Sequence, residues 1–312
     1  MNGREEREQK LNEKAVQKLI GLPRFVADWY VHLQVEDLTA KSRFTYVDIV
    51  SQFCKRQHIT NINDVTNIST ERFLLSTHKK EDGLPSSKAS QQLAWSAMNK
   101  FEDYLEQAEL INKNYVKNIR RPKNNDNEAK EKKKVLLTSD DFKKMLTVEK
   151  DNERNYAILL LFMTTGIRLS ALDNINIEDI NFEDQVITVI DKGNKTHNLK
   201  INDITMKAIN DWLDVRPECD TSALFVSRNG VRIDNSQIAN MVSDCANKAL
   251  GIRFHPHKLR GGFITILYNK THDIDFVRRA VGHSKITTTQ GYIVSDGKER
   301  EKAADIFENM LM

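Results

Sequence analysis

The chain is poor in cysteine and lacks any long apolar segment. Only three cysteines occur in 312 residues, Cys54, Cys219 and Cys245, and they are scattered without CxxC spacing. Such an odd set argues against a disulfide framework and a cysteine-rich zinc site, and it fits a reducing cytosol. No run approaches the roughly 20 apolar residues that span a bilayer. The charged stretch Met1 to Arg7 does not resemble a secretory signal, so we expect a cytoplasmic protein with no membrane partner.

Charge is unevenly distributed along the chain. The content of 39% hydrophobic and 29% charged residues is typical of a globular protein, and 312 residues suggest two domains. Residues 1–134 hold 24 lysines and arginines against 19 acidic residues, whereas the remainder holds 23 against 25. The basic surplus therefore lies in the N-terminal part. A bias of this size fits nucleic-acid binding, but it is also common in proteins that bind none.

Residues 1–120 show helical apolar spacing and no period-two alternation, which predicts an all-helical domain. Thr39 is a candidate N-cap, and the longest predicted helix, residues 86–107, would begin at Ser86 or Ser87. The inward positions predicted for that helix are Leu93, Met98, Phe101, Tyr104 and Leu105.

Residues 121–134 have a different composition, with hardly an apolar residue between Ile119 and Val135. Lysine and asparagine dominate, which predicts an exposed basic linker. Two interpretations stay open: a solvated tether, or a strap that follows a phosphate backbone.

Residues 135–312 combine helices with a small sheet. A buried helix over Asn152–Thr165 would end at Gly166, and Val186–Ile190 alternates as a strand that turns and returns to about Ile201. A short strand is predicted at Leu224–Val226. Helices are predicted at about 203–214, 234–249, 256–269, 273–281 and 298–311. The fold class is therefore mainly α with a small antiparallel sheet (α+β).

Several polar residues in this C-terminal part suit one reaction. Cleaving a phosphodiester without a metal needs an oxygen nucleophile, positive charge at the non-bridging oxygens, and an acid for the leaving oxygen. A planar guanidinium binds phosphate oxygens in pairs, and a tyrosine nucleophile would conserve the bond energy in an ester. Each candidate taken alone has an ordinary structural explanation as a cap, turn or surface residue. The candidates are Arg168, Lys192, His257, Arg260, His283 and Tyr292.

Their order along the chain resembles a known family. The stretches that carry the likeness are Thr164–Leu172, Ile190–Lys195, Pro256–Arg260 and Gly282–Tyr292. Together they resemble the tyrosine recombinases, or phage integrases, and in particular the Xer-like members with two domains and no arm-binding domain. The likeness covers about 135–295. It implies a helical core-DNA-binding domain over 1–120, a linker over 121–134 and a catalytic domain over 135–312.

The resemblance also implies a role for each residue. Arg168 and Arg260 would bind the scissile phosphate, and His283 would hydrogen-bond one of its oxygens. Tyr292 would attack to form a 3′-phosphotyrosyl link, assisted by His257 as general base or acid.

The lysine of the hairpin turn would protonate the leaving 5′ oxygen. Position in the motif favours Lys192, with Lys195 as its rival. The implied protein is a site-specific DNA recombinase or integrase of a mobile element or chromosome, nucleoid-associated, and independent of metal, cofactor and ATP.

Further partners follow from the same resemblance. Four protomers would exchange strands through a Holliday junction, with the helix 298–311 packed on a neighbour and an accessory directionality factor possible. Candidate contacts to double-stranded DNA are Lys41, Arg43, Lys88, Gln91, Arg120, Arg121 and Lys123. Two alternatives remain: a type IB topoisomerase that relaxes DNA, and a DNA-binding regulator without catalysis.

Two positions depart from the family pattern. Many members carry a carboxylate three residues after the first arginine, where this chain has Ala171, so support for that arginine would have to come from elsewhere. Many members also have a histidine directly after the second arginine, and here Gly261 and Gly262 follow. Glycine inside a helix costs about 1 kcal/mol relative to alanine, so we expect a close backbone approach at this point, to DNA or to another part of the chain.

Overall fold

The computed structural model describes residues 3–36, 38–79, 83–123, 137–191, 195–282 and 286–290. The chain divides into two compact units, Met1–Lys133 and Lys134–Met312. The first contains α1 (Gly3–Leu19), α2 (Arg24–Val35), α3 (Ala40–Arg56), α4 (Asn67–Ser76) and α5 (Lys88–Gln107). Within the described residues, no helix has the length and apolar character required to cross a membrane.

The core of the first unit is aromatic. Trp29 and Phe53 are fully buried against Phe101 of α5, which fixes how α2, α3 and α5 pack. The predicted caps are present, since Thr39 accepts from Ser42 N and Ser87 accepts from Ser90 N. The inward stripe of α5 is Met98, Phe101 and Leu105. The prediction for Leu93 was wrong, because its side chain is 42% exposed.

The second unit is built around one buried helix. Its helices are α6 (Ser139–Val148), α7 (Glu153–Thr165), α8 (Leu169–Leu172), α9 (Asp203–Val215), α10 (Asn235–Leu250), α11 (His257–Thr271), α12 (Ile274–Ala280) and α13 (Ile286–Gln290). Residues 157–163 of α7 are all buried, since α6, α9 and α11 pack around it. Asn152 caps its N-terminus, and Gly166 ends it in the left-handed region at φ 62°.

A three-stranded antiparallel sheet completes this unit: β1 (Ile180–Asn181), β2 (Val186–Asp191) and β3 (Lys195–Lys200), in that order. The predicted hairpin is present, with Val186 paired to Lys200 and Asp191 to Lys195. β1 was not predicted. The segment predicted as a strand at Leu224–Val226 is buried but forms only isolated bridges at Ala223 and Val226.

Candidate active site

The left-handed turn at Gly166 brings two helices together. A Cβ at this position would lie 2.5 Å from Cδ1 and 3.1 Å from Cε1 of Phe263 on α11. Only glycine leaves space for this ring, and only glycine adopts a positive φ without strain. The end of α7 and the second turn of α11 therefore lie in direct contact. Arg168, the N-cap of α8, follows this turn by two residues.

Arg260 is buried between two backbone segments. Its side chain is 4% exposed. Nη1 donates to the carbonyl of Gly166, and Nη2 donates to the carbonyl of Val281 at 2.7 Å. A guanidinium has five N–H donors in a fixed plane, so it can bind two carbonyls and a phosphate at once. The bond to Gly166 places Arg260 beside the turn that precedes Arg168.

His257 is the first residue of α11, one turn before Arg260. Partial burial, followed by the charges of His255, Arg260 and Arg168, holds the pKa of His257 below its usual value. The His255 ring stacks on it, with centroids 5.5 Å apart and planes 21° from parallel. A lowered pKa keeps the imidazole neutral at pH 7 and able to accept a proton. His255 was not singled out by the sequence, although its spacing from His257 was visible.

The structure thus brings together three of the six sequence candidates, Arg168, His257 and Arg260. The other three, Lys192, His283 and Tyr292, lie outside the described residues, as does the helix predicted at 298–311. Residues close to them are described: β2 ends at Asp191, and α13 ends at Gln290.

The two departures from the family pattern have structural consequences. Ala171 is buried in the core of the second unit. A Cβ at Gly262 would lie 3.0 Å from Leu137 Cβ and 3.0 Å from Phe142 Cζ. The expected close approach therefore occurs at Gly262, and the neighbours are apolar side chains of the protein itself. With Gly166, this glycine allows α11 to pack tightly on the end of α7 and the start of α6.

In the first unit, several candidate DNA-binding residues surround one cavity. It has a volume of about 190 Å³ and is lined in part by Lys88, Gln91, Trp95 and Arg120. The Arg121 guanidinium lies 5.7 Å from the Trp95 ring centroid. The predicted linker therefore begins as a segment that contacts α5.

The remaining candidates differ in their surroundings. Lys41 and Lys123 are exposed. Arg43 donates to the Leu38 carbonyl at 2.6 Å and to Asn12 at 3.2 Å. Gln91 is buried and donates to the Ser86 carbonyl at 3.3 Å. Arg43 and Gln91 therefore support the fold of the first unit.

Comparison with known proteins gives consistent matches. The phage integrase family model matches residues 135–299. The tyrosine recombinase XerC of Caldanaerobacter subterraneus is 36% identical over 216 residues, which cover 66% of this chain and 59% of that protein. XerC of Shewanella amazonensis is 32% identical over 225 residues, which cover 70% of this chain and 74% of that protein.

Solved structures show the same fold. XerH recombinase bound to a palindromic difH substrate superimposes with a TM-score of 0.66 at 22% identity, covering 86% of this chain and 81% of that one. A lambda integrase dimer bound to a COC′ core site gives 0.67 at 17% identity, with coverage of 88% and 78%.

Proposed function

Since the chain belongs to the phage integrase family and is a site-specific tyrosine recombinase, we propose that it cleaves and rejoins DNA through Tyr292. The phenol oxygen attacks the scissile phosphorus and forms a 3′-phosphotyrosyl ester, and the 5′ oxygen leaves as a hydroxyl. The reverse attack by a 5′ hydroxyl of another strand rejoins the DNA without ATP.

The single observation that carries these roles is the position of Arg260. Its buried guanidinium binds the turn that leads to Arg168, and the pKa of His257 responds to both arginine charges. Two guanidinium groups beside one phosphate would stabilise the negative charge that develops on its non-bridging oxygens. We assign Arg168 and Arg260 to that phosphate.

We assign the proton transfers to three residues. His257, kept neutral by its surroundings, accepts the proton of the Tyr292 hydroxyl. Lys192 donates a proton to the leaving 5′ oxygen, with Lys195 as the alternative donor. We also assign His283 a hydrogen bond to a phosphate oxygen. The reaction so described needs no metal.

The test is capture of a covalent protein–DNA adduct. Protein is incubated with genomic DNA in EDTA, the adduct is recovered under denaturing conditions, and the joined DNA is sequenced to map the site. A nicked duplex carrying that site then traps the cleaved state. Wild-type protein should form the adduct, and Tyr292→Phe should form none.

Other outcomes would favour a different function. Absence of an adduct across mapped binding sites would favour a catalytically silent regulator. Relaxation of supercoiled plasmids that lack the site would favour a topoisomerase.

We further propose that Lys88, Arg120 and Arg121 contact DNA phosphates. Gln92 Nε2 donates to the Pro122 carbonyl at 2.8 Å, and Trp95 Nε1 donates to the Ile119 carbonyl at 2.9 Å. These bonds hold residues 119–122 on α5, so their arginines are presented at a defined place. The affinity falls as salt rises, and loss of one phosphate contact should reduce the magnitude of the slope of log affinity against log salt concentration by about 1. The control is Lys55→Ala, because Lys55 is an exposed lysine in the last turn of α3.

The same proposal includes the assembly. Four protomers would exchange strands through a Holliday junction, in the cytoplasm at the nucleoid. Residues 298–311 would pack on a neighbouring protomer, and a directionality factor would act as an accessory protein. Lys41 and Lys123 would add phosphate contacts. Deleting 298–312 should then harm recombination more than binding to a single site. Equal loss of both would contradict packing between protomers.

A further inference from the structure

The inner face of the β2–β3 hairpin ends in a histidine. Side chains alternate between the two faces of a strand, and directly paired residues share a face. Leu199 pairs with Ile187, and His197 pairs with Val189. Ile187, Val189 and Leu199 are buried in the core of the second unit. His197 therefore lies on the core-facing side, toward the end of the hairpin where Asp191 pairs with Lys195.

The His197 ring lies beside Gly282. A Cβ added at Gly282 would lie 3.6 Å from Nε2 and 3.7 Å from Cε1 of His197, so the ring borders the space that a side chain would occupy at this position. Gly282 has φ +65° and follows Val281 directly. The carbonyl of Val281 accepts the 2.7 Å bond from Arg260 Nη2. The hairpin therefore lies next to the backbone turn that binds the buried guanidinium.

The two carbonyls that hold Arg260 are unequally supported. Gly166 ends the buried helix α7 and packs under Phe263. Val281 ends α12, a helix of only seven residues. Helices this short depend on packing for their stability. Val277 of α12 and Val281, the C-cap of that helix, pack on Ile264 of α11, and His197 lies beside the next residue, Gly282, on the side of the hairpin.

We infer that His197 is a positioning residue for the recombination reaction: from its place beside Gly282, it limits movement of the turn whose carbonyl orients Arg260. The inference rests on the proposed role of Arg260 at the scissile phosphate. Binding of the phosphate needs the guanidinium plane in one orientation, and a displacement of about 1 Å can cost on the order of 100-fold in rate. Removing the ring leaves the turn able to shift without unfolding the domain.

The test compares His197→Ala with Asn198→Ala. Asn198 is the next residue of the same strand and lies exposed on the opposite face, so it controls for any change in the strand itself. Cleavage of the nicked site is measured in single turnover at saturating protein, together with DNA affinity and melting temperature. His197→Ala should cleave on the order of tenfold to 100-fold more slowly, with affinity and melting temperature matching the control. His197→Gln, which keeps a side chain of similar length, should restore part of the rate.

A second substrate distinguishes a defect in the position of Arg260 from a defect in protonation by the hairpin lysine. Replacing the bridging 5′ oxygen with sulfur gives a thiolate that leaves without a general acid. Lys192→Ala should recover on this substrate. His197→Ala should stay slow, because its defect lies at the non-bridging oxygens. Recovery of His197→Ala would instead place its effect on leaving-group protonation and overturn the inference.

Two further results would also overturn it. One is a cleavage rate for His197→Ala equal to that of Asn198→Ala, and the other is a loss of DNA affinity or melting temperature beyond the control. In both cases the proposed function stands if the wild type forms the adduct and Tyr292→Phe does not. If the wild type forms no adduct, the proposed function fails, and the role of His197 fails with it.

Discussion

Gly166→Ala should damage the active site through two separable effects. The first is backbone strain, because alanine at φ 62° costs roughly 1–2 kcal/mol. The second is steric, because the new Cβ would lie 2.5 Å from Phe263 Cδ1. Overpacking a well-packed site costs typically 1–3 kcal/mol. The sum is about 2–5 kcal/mol. Cleavage should also fall, since relief of the clash moves α11, and with it Arg260, away from the Gly166 carbonyl.

Gly251→Ala is a matched control for this change. Gly251 ends α10 in the same left-handed conformation, at φ 69°, and a Cβ there would meet no atom within 4 Å. It should therefore show the strain alone, about 1–2 kcal/mol. A difference of about 1 kcal/mol shifts the melting temperature by about 2–4 °C in a domain of this size, which thermal unfolding resolves.

A third variant tests whether the clash with Phe263 causes the additional destabilisation of Gly166→Ala. Phe263→Leu shortens the ring side chain, so combining it with Gly166→Ala should remove part of the steric cost. A double-mutant cycle would then give a favourable coupling energy. Hydrogen exchange of α7 and α11 would show whether the loss is local. Equal destabilisation by Gly166→Ala and Gly251→Ala, with no coupling to Phe263, would refute the proposed close packing.

Three other variants test neighbouring features. Arg260→Lys should abolish most cleavage and lower the melting temperature, because one ammonium cannot replace a fork that binds two buried carbonyls; retained stability and rate would contradict this. His257 has a lowered pKa, so cleavage should rise with pH through a value below 6.5 and level off by pH 7, and His257→Gln should remove that rise. Burial raises the pKa of Glu102 in the folded protein, so this carboxyl group ionises more readily in the unfolded chain. The free energy of unfolding should therefore fall as the pH rises from the unfolded-state pKa through the folded-state pKa. Glu102→Gln should remove this component of denaturant unfolding measured against pH, whereas an unchanged profile would argue against it.

The elements that the sequence predicts well are those whose signals are local. Cap residues such as Thr39 and Ser87 form their hydrogen bonds within one helical turn, so they need no tertiary information. Period-two alternation in Val186–Ile190 predicts the hairpin for the same reason. Leu93 shows the limit of apolar counting. Leu93 lies five residues before Met98. Five steps of about 100° around the helix axis place its side chain about 140° from Met98 and the buried stripe.

Long-range contacts were not predictable in this way. The segment at Leu224–Val226 has the apolar composition of a strand, yet it lacks a neighbouring strand to pair with over more than single bridges. β1 has only two residues, too few to show alternation. In both cases pairing depends on a partner that is distant in sequence, which no window of local residues contains.

The candidate site shows the same difference between local sequence signals and long-range contacts. Residue types and order could nominate Arg168, His257 and Arg260, because phosphate chemistry restricts which side chains serve. The contacts that orient them could not be nominated. Gly166 and Val281 matter because their carbonyls accept hydrogen bonds from one guanidinium, and nothing in the local sequence indicates those bonds. In the proposed reaction the guanidinium would have to be held to within about 1 Å, and hydrogen bonds to backbone carbonyls from two separate turns restrict its position. Substitutions at such positions should therefore lower the cleavage rate more than DNA affinity, and comparing those two quantities across variants separates orienting contacts from binding contacts.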